Sequence, residues 1–189
     1  TDVEAFKQLM VKHADLSRAG SEQKFKGGLA DHSEKTTRLH TAHHLLLRAL
    51  QIVLGPGVKQ RGSNITQERL RIDFSYPQKM TTEQIAEVEK IVNEKIRESL
   101  PMTRITVPKE VGEKSGAEQE FGVKYPDMVN VYIVGPVSND PEEMLANAFS
   151  KEFCGGPHVA STSELQGTFK IQKEEAVASG VRRIKAILV

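Results

Sequence analysis

The chain has 189 residues, enough for one domain of ordinary size and too few for a multi-domain assembly. Hydrophobic residues make up 38% and charged residues 27%, which supports a packed core and excludes a disordered chain. With 26 basic against 25 acidic residues the formal net charge is +1, so a polyanion partner must be held by a local patch rather than by overall attraction.

No run approaches the length of a membrane-spanning helix, and Thr1-Asp2-Val3-Glu4 lacks a basic-then-apolar signal pattern, so the cytoplasm is the expected compartment. The single cysteine, Cys154, excludes an internal disulfide and leaves a buried thiol, a nucleophile or a metal ligand. The start at Thr1 and the apolar run at 184–189 are those expected of a piece cut from something longer.

In chain order, residues 1–20 read as a helix with Val3, Phe6, Leu9 and Met10 on one face, followed by a loop through Lys26-Gly27-Gly28. Asp31-His32-Ser33-Glu34 offers a capping box, after which Leu39, Ala42, Leu46, Leu50 and Val53 recur at helical spacing until Gly55-Pro56-Gly57. Leu70, Ile72 and Phe74 alternate with polar residues over 69–75, predicting a half-buried strand with 58–65 as its hairpin partner. Thr81 with Gln84 caps a second helix with Ile85, Val88, Val92 and Ile96 on its apolar face, and Pro101 ends it. Residues 102–107 and 129–134 read as strands with a short helix and a loop between them. Phe169 and Ile171, then Val181, Ile184 and Ile187, predict two more. The irregular order argues for a single α+β domain, a mainly antiparallel sheet with helices packed on it in two layers.

His40 and His44, four apart on the first long helix, project from one side within reach of a single ion. On a helical wheel they lie at the edge of the apolar stripe, roughly 100 to 140° from its centre, and are expected to face a cleft. Cys154-Gly155-Gly156-Pro157-His158 cannot continue a helix, and its tight turn brings a thiol and an imidazole together. The two pairs make a His₂-Cys-His zinc site. The rival readings are a buried cysteine in a glycine turn and a Cys–His nucleophilic pair, although nothing supplies an oriented third group for the latter.

The same residues carry a resemblance. Arg38-Leu39-His40-Thr41-Ala42-His43-His44-Leu45-Leu46, Gln60-Arg61-Gly62-Ser63, Arg69-Leu70-Arg71-Ile72-Asp73-Phe74-Ser75, Cys154-Gly155-Gly156-Pro157-His158-Val159 and Ala178-Ser179-Gly180-Val181-Arg182-Arg183-Ile184 occur in the order found in one family. Together they resemble the editing domain of alanyl-tRNA synthetase and its free-standing AlaX relatives, from about residue 24 to residue 189. Residues 1–23 then form an N-terminal helical segment, in a synthetase the connection from an upstream tRNA-binding part. The resemblance implies the second-additional-domain fold of threonyl- and alanyl-tRNA synthetases, and a deacylase that removes serine, and glycine, from mischarged tRNA(Ala) with the help of Zn²⁺. It puts the metal ligands at His40, His44, Cys154 and His158, the pocket wall and catalytic hydrogen bonds at Gln60 and Ser63, and tRNA-end contacts at Arg182 and Arg183. The chain is too short to hold the aminoacylation domain as well.

Two departures stand out. His43 replaces the Thr that the family uses between the ligands to sense the serine hydroxyl, and becomes a substrate-binding candidate instead. Residues 163–167 are one residue longer than the usual turn. Basic residues Lys24, Lys26, Lys35 and Arg38 before the first motif, and Lys170, Lys173 and Lys185 around the last, are the expected phosphate contacts. The zinc is expected to polarise the ester or position water, although four protein ligands close a tetrahedral site and favour a metal that shapes the pocket. Two further readings are a non-catalytic zinc-stabilised tRNA-binding module and an editing domain of the threonyl type; the block from Gln60 to Ser75 argues against the second.

Overall fold

A computed structural model of the chain describes residues 28–189, so the helix expected over 1–20, with Lys24 and Lys26, lies outside the described residues. The first described helix, α1 (Glu34–Leu54), is capped by Ser33, whose hydroxyl accepts the Thr36 N–H at 3.3 Å. The cap lies two residues beyond the expected Asp31, whose Oδ1 accepts the Ser33 N–H at 2.8 Å instead of capping the helix itself. Gly55, at φ 109°, ends α1 with its N–H on the Gln51 carbonyl.

Strands β1 (Gln60–Ile65) and β2 (Leu70–Ser75) form the predicted hairpin, and β2 alternates buried and half-buried residues. Helix α2 (Thr82–Arg97) begins with the predicted capping box, Thr81 Oγ1 accepting the Gln84 N–H at 3.1 Å and Gln84 Oε1 the Thr81 N–H at 2.9 Å. Then follow β3 (Met102–Pro108), α3 (Lys109–Lys114), β4 (Met128–Val134), α4 (Pro141–Asn147), β5 (Ser150–Phe153), a 3₁₀ turn over Thr162–Leu165, β6 (Phe169–Ala178) and β7 (Val181–Leu188).

The α+β antiparallel class holds, with the strands distributed over two sheets. One has the order β1-β2-β7-β6 and the other β3-β4-β5, every pairing antiparallel. Helix α1 packs against β1 and β2 of the first sheet and β5 of the second. It is therefore buried nearly all round, Leu39 to Leu47 without a break. The main apolar core joins α1, α2 and the four-stranded sheet; a second cluster, including Val107, Val131, Ile133 and Phe153, lies on the three-stranded sheet. Tyr132 and Phe149, from the second sheet's side, pack into the first cluster and join the two.

Candidate metal centre

His40 and His44 line a cavity, in keeping with the cleft expected of them; each is only 2% exposed, because β5 and the turn that follows it cover the face that periodicity left at the stripe's margin. Strand β5 delivers Phe153, and the chain then turns through Cys154-Gly155-Gly156-Pro157-His158 back onto α1. Gly156 permits this approach: a Cβ there would lie 2.6 Å from His40 Cε1, closer than atoms tolerate.

One donor atom each from His40, His44, Cys154 and His158 lies within 4.8 Å of all the others. Cys154 Sγ is 3.5 Å from His40 Nε2 and 3.4 Å from His158 Nε2. A tetrahedral zinc, with Zn–S of about 2.3 Å and Zn–N of about 2.0 Å, separates sulfur from nitrogen by about 3.5 Å, so the cluster matches the ion's dimensions.

The hydrogen bonds around the rings select their tautomers. His40 Nδ1–H donates to the Pro157 carbonyl at 3.0 Å, leaving the Nε2 lone pair toward the sulfur. The Thr41 hydroxyl donates to the Thr37 carbonyl, accepts the Val159 N–H, and takes His158 Nδ1 at 3.0 Å, so His158 also turns its Nε2 lone pair inward. His44 Nε2 lies 3.4 Å from Glu152 Oε2, while its buried Nδ1 has no hydrogen-bond partner. A buried lone pair without a partner is costly unless an ion takes it.

Burial holds the imidazoles neutral: His40 is lowered to about 4, His43 to about 3, and His44 and His158 well below the usual range, neighbouring histidines adding to the effect. Burial also pushes the Cys154 thiol up to about 12, against the pull of the Gly156 and Gly155 N–H groups. Neutral imidazoles are ready ligands, whereas a thiol so disfavoured as thiolate is a poor nucleophile, which speaks against the Cys–His nucleophilic pair. A cation is what would release its proton.

Beside the cluster lies a cavity of about 70 Å³, lined by His40, His43 and His44 from α1, Gln60 from β1, and Glu152, Cys154 and Gly155. The connection between α3 and β4 adds Glu118, Gln119, Glu120, Val123 and Tyr125. At 3% exposure His43 is buried, and its Nε2 has no hydrogen-bond partner. Of the hairpin pair, Gln60 lines the cavity and Ser63 is outside its lining, with its Oγ packed against Gly28, where a Cβ would come within 2.3 Å.

Arg182 and Arg183, on β7, are engaged with carboxylates. Arg183 binds both oxygens of Asp73 across the β2–β7 ladder, at 2.6 and 2.8 Å, and Arg182 Nη2 binds Glu174 at 2.7 Å with Nε on the other oxygen. Lys170 pairs with Glu89, and Lys173 and Lys185 with Glu175. The C-terminal basic cluster is thus largely neutralised by its own sheet and by α2.

The residue most clearly missed in the sequence is Glu152. It is 8% exposed, its Oε1 is unpartnered, and burial raises its carboxyl to about 8, with Glu118 adding to the effect. A signal existed: it stands two residues before Cys154, and in an extended segment such residues share a face. Thr41, which fixes His158, carried no periodic signal.

Comparison with known proteins finds a family and close relatives. Residues 129–185 match the family described as "Threonyl and Alanyl tRNA synthetase second additional domain". An alanine–tRNA ligase of Treponema denticola is 54% identical over 185 residues, covering 98% of this chain and 29% of the relative. One from Borreliella burgdorferi is 50% identical over 184 residues, 97% of this chain and 29% of the relative. One from Thermus thermophilus is 46% identical over 152 residues, 80% and 16% respectively. The chain therefore spans 29% of the length of the first two relatives. Among the described residues no helix is long and apolar enough to cross a membrane.

Proposed function

We propose, from the premise that this chain is an editing-type domain of the alanyl-tRNA synthetase family, that it hydrolyses the ester of tRNA(Ala) wrongly charged with serine or glycine, in the cytoplasm and with zinc bound. The observation that carries the reading is the cavity abutting the His40, His44, Cys154 and His158 cluster, with buried, unpartnered nitrogen atoms at its wall.

His40 Nε2, His158 Nε2, Cys154 Sγ and His44 would hold the ion, which when bound supplies Lewis-acid stabilisation of negative charge developing at an ester carbonyl. Gln60 would hydrogen-bond the carbonyl or the attacking water from the cavity wall. Ser63 joins this role through the resemblance. His43, neutral and with Nε2 unpartnered, would hydrogen-bond the serine hydroxyl where the family uses a threonine. Arg182 and Arg183 would contact the tRNA end through donors left over from their carboxylate pairs, since a guanidinium has five N–H groups and a bidentate pair uses two.

The four-donor set favours a second reading, a zinc-stabilised module that binds tRNA without chemistry, because closed tetrahedral sites are commonly structural. One experiment separates the two. Ser-tRNA(Ala) is incubated with the protein, Ala-tRNA(Ala) serving as control, and zinc content is measured alongside. The deacylase releases serine and spares the alanyl ester; Cys154→Ala lowers zinc content and activity together. Full activity in a zinc-free variant would refute the role given to the metal, and binding without release in the wild type would establish the second reading.

A further inference from the structure

The cavity is acidic in an unusual way. Among the described residues its lining includes Glu118, Glu120 and Glu152 but no lysine or arginine. Glu118 is compensated by Lys59 at 2.7 Å. Among the described residues Glu152 has only His44, 3.4 Å from Oε2, while Oε1 is buried with no partner. It also borders a neighbouring cleft that contains Arg48 and Lys151, yet neither pairs with it. A buried carboxyl oxygen without a partner costs free energy until a hydrogen-bond donor reaches it, and a cationic donor gains most there.

We propose that Glu152 anchors the α-ammonium group of the aminoacyl ester, so that the substrate class is confined to esters whose amino group is free. The inference rests on the deacylase reading above and deepens it. In a seryl or glycyl ester the ammonium is one carbon from the ester carbonyl. An anchor whose other oxygen lies on His44 therefore leaves that carbonyl at the histidine–cysteine cluster. An N-acylated ester has neither the charge nor the full donor set, and leaves Oε1 buried without a partner.

The test uses the zinc-loaded chain, with metal content measured in every sample, and compares hydrolysis of seryl-tRNA with that of N-acetylseryl-tRNA. The wild type is expected to prefer the free amine by at least about tenfold in kcat/KM; Glu152→Gln should raise KM for seryl-tRNA by about tenfold and bring the preference close to unity. If the variant, at full zinc content, keeps its preference and KM, the proposal is overturned. A carboxyl that merely orients His44 would slow both esters alike, and that outcome also overturns it. Wild type that cleaves neither ester refutes the deacylase reading instead. In that case, or if the variant fails to fold or to load zinc, calorimetric binding to wild type decides. The non-hydrolysable 3′-serylamino-3′-deoxyadenosine should bind at least about tenfold more tightly than its N-acetyl form, and equal affinity overturns the anchor.

Discussion

Gly155 and Gly156 are neighbours with different burdens. A Cβ at Gly155 meets nothing within 4 Å, whereas one at Gly156 would press on the His40 ring and on Leu29. Gly156→Ala must push the turn off α1, and zinc affinity is expected to fall at least about tenfold, while Gly155→Ala keeps its zinc; metal titration of the two variants checks this. At this scale the sequence was informative about donors and silent about neighbours. His40, His44, Cys154 and His158 could be read from spacing, turn chemistry and ligand preference. Glu152 and Thr41 act through atoms that only the assembled fold sets beside them. The same holds for Arg182 and Arg183: their charge was legible, but Glu174 and Asp73 reach them from adjacent strands.

Helix α2 was legible because its signals are local: a capping box, four apolar positions at helical spacing and a proline beyond its end. Its docking was not. Asn93 Nδ2 donates to the Phe169 carbonyl at 3.0 Å and Asn93 Oδ1 accepts the Phe169 N–H at 2.8 Å, so one side chain extends the β6 edge as a strand would. Asn93→Ala leaves both backbone groups beside a fully buried Phe169, and is expected to cost about 2 kcal/mol, read as a lower denaturant midpoint with unchanged slope. Elements α4 and β5 escaped the sequence reading for a different reason. Seven and four residues carry too little periodicity, and Ser150–Phe153 is a strand because β4 pairs with it. That short strand positions both Glu152 and Cys154, so the least legible element supports much of the candidate site.

For the whole molecule, the concentration of neutral histidines in the core makes stability depend on pH. The folded state holds His40 at about 4 and His43 at about 3, against 6.5 in the unfolded chain. Between those values the unfolded state binds more protons, so stability rises with pH and is lost as pH falls from about 6.5 toward 3. Metal-free protein should therefore lose a few kcal/mol over that window, seen as a falling midpoint in denaturant titrations at stepped pH, and His43→Leu should flatten the slope. The antiparallel α+β class was accessible from the sequence, but the split into two sheets was not, because strand order depends on pairings between distant segments. That order bears on biosynthesis. Residues 181–188 form the interior strand between β2 and β6, so the β1–β2 hairpin, made more than a hundred residues earlier, has no permanent neighbour on its inner side until they leave the ribosome. A nascent chain halted before that point would already hold His40, His44, Cys154 and His158, and the β1–β2 hairpin against which α1 packs, while the four-stranded sheet still lacked its interior strand; the candidate ligands are thus all synthesised before the sheet behind them can close.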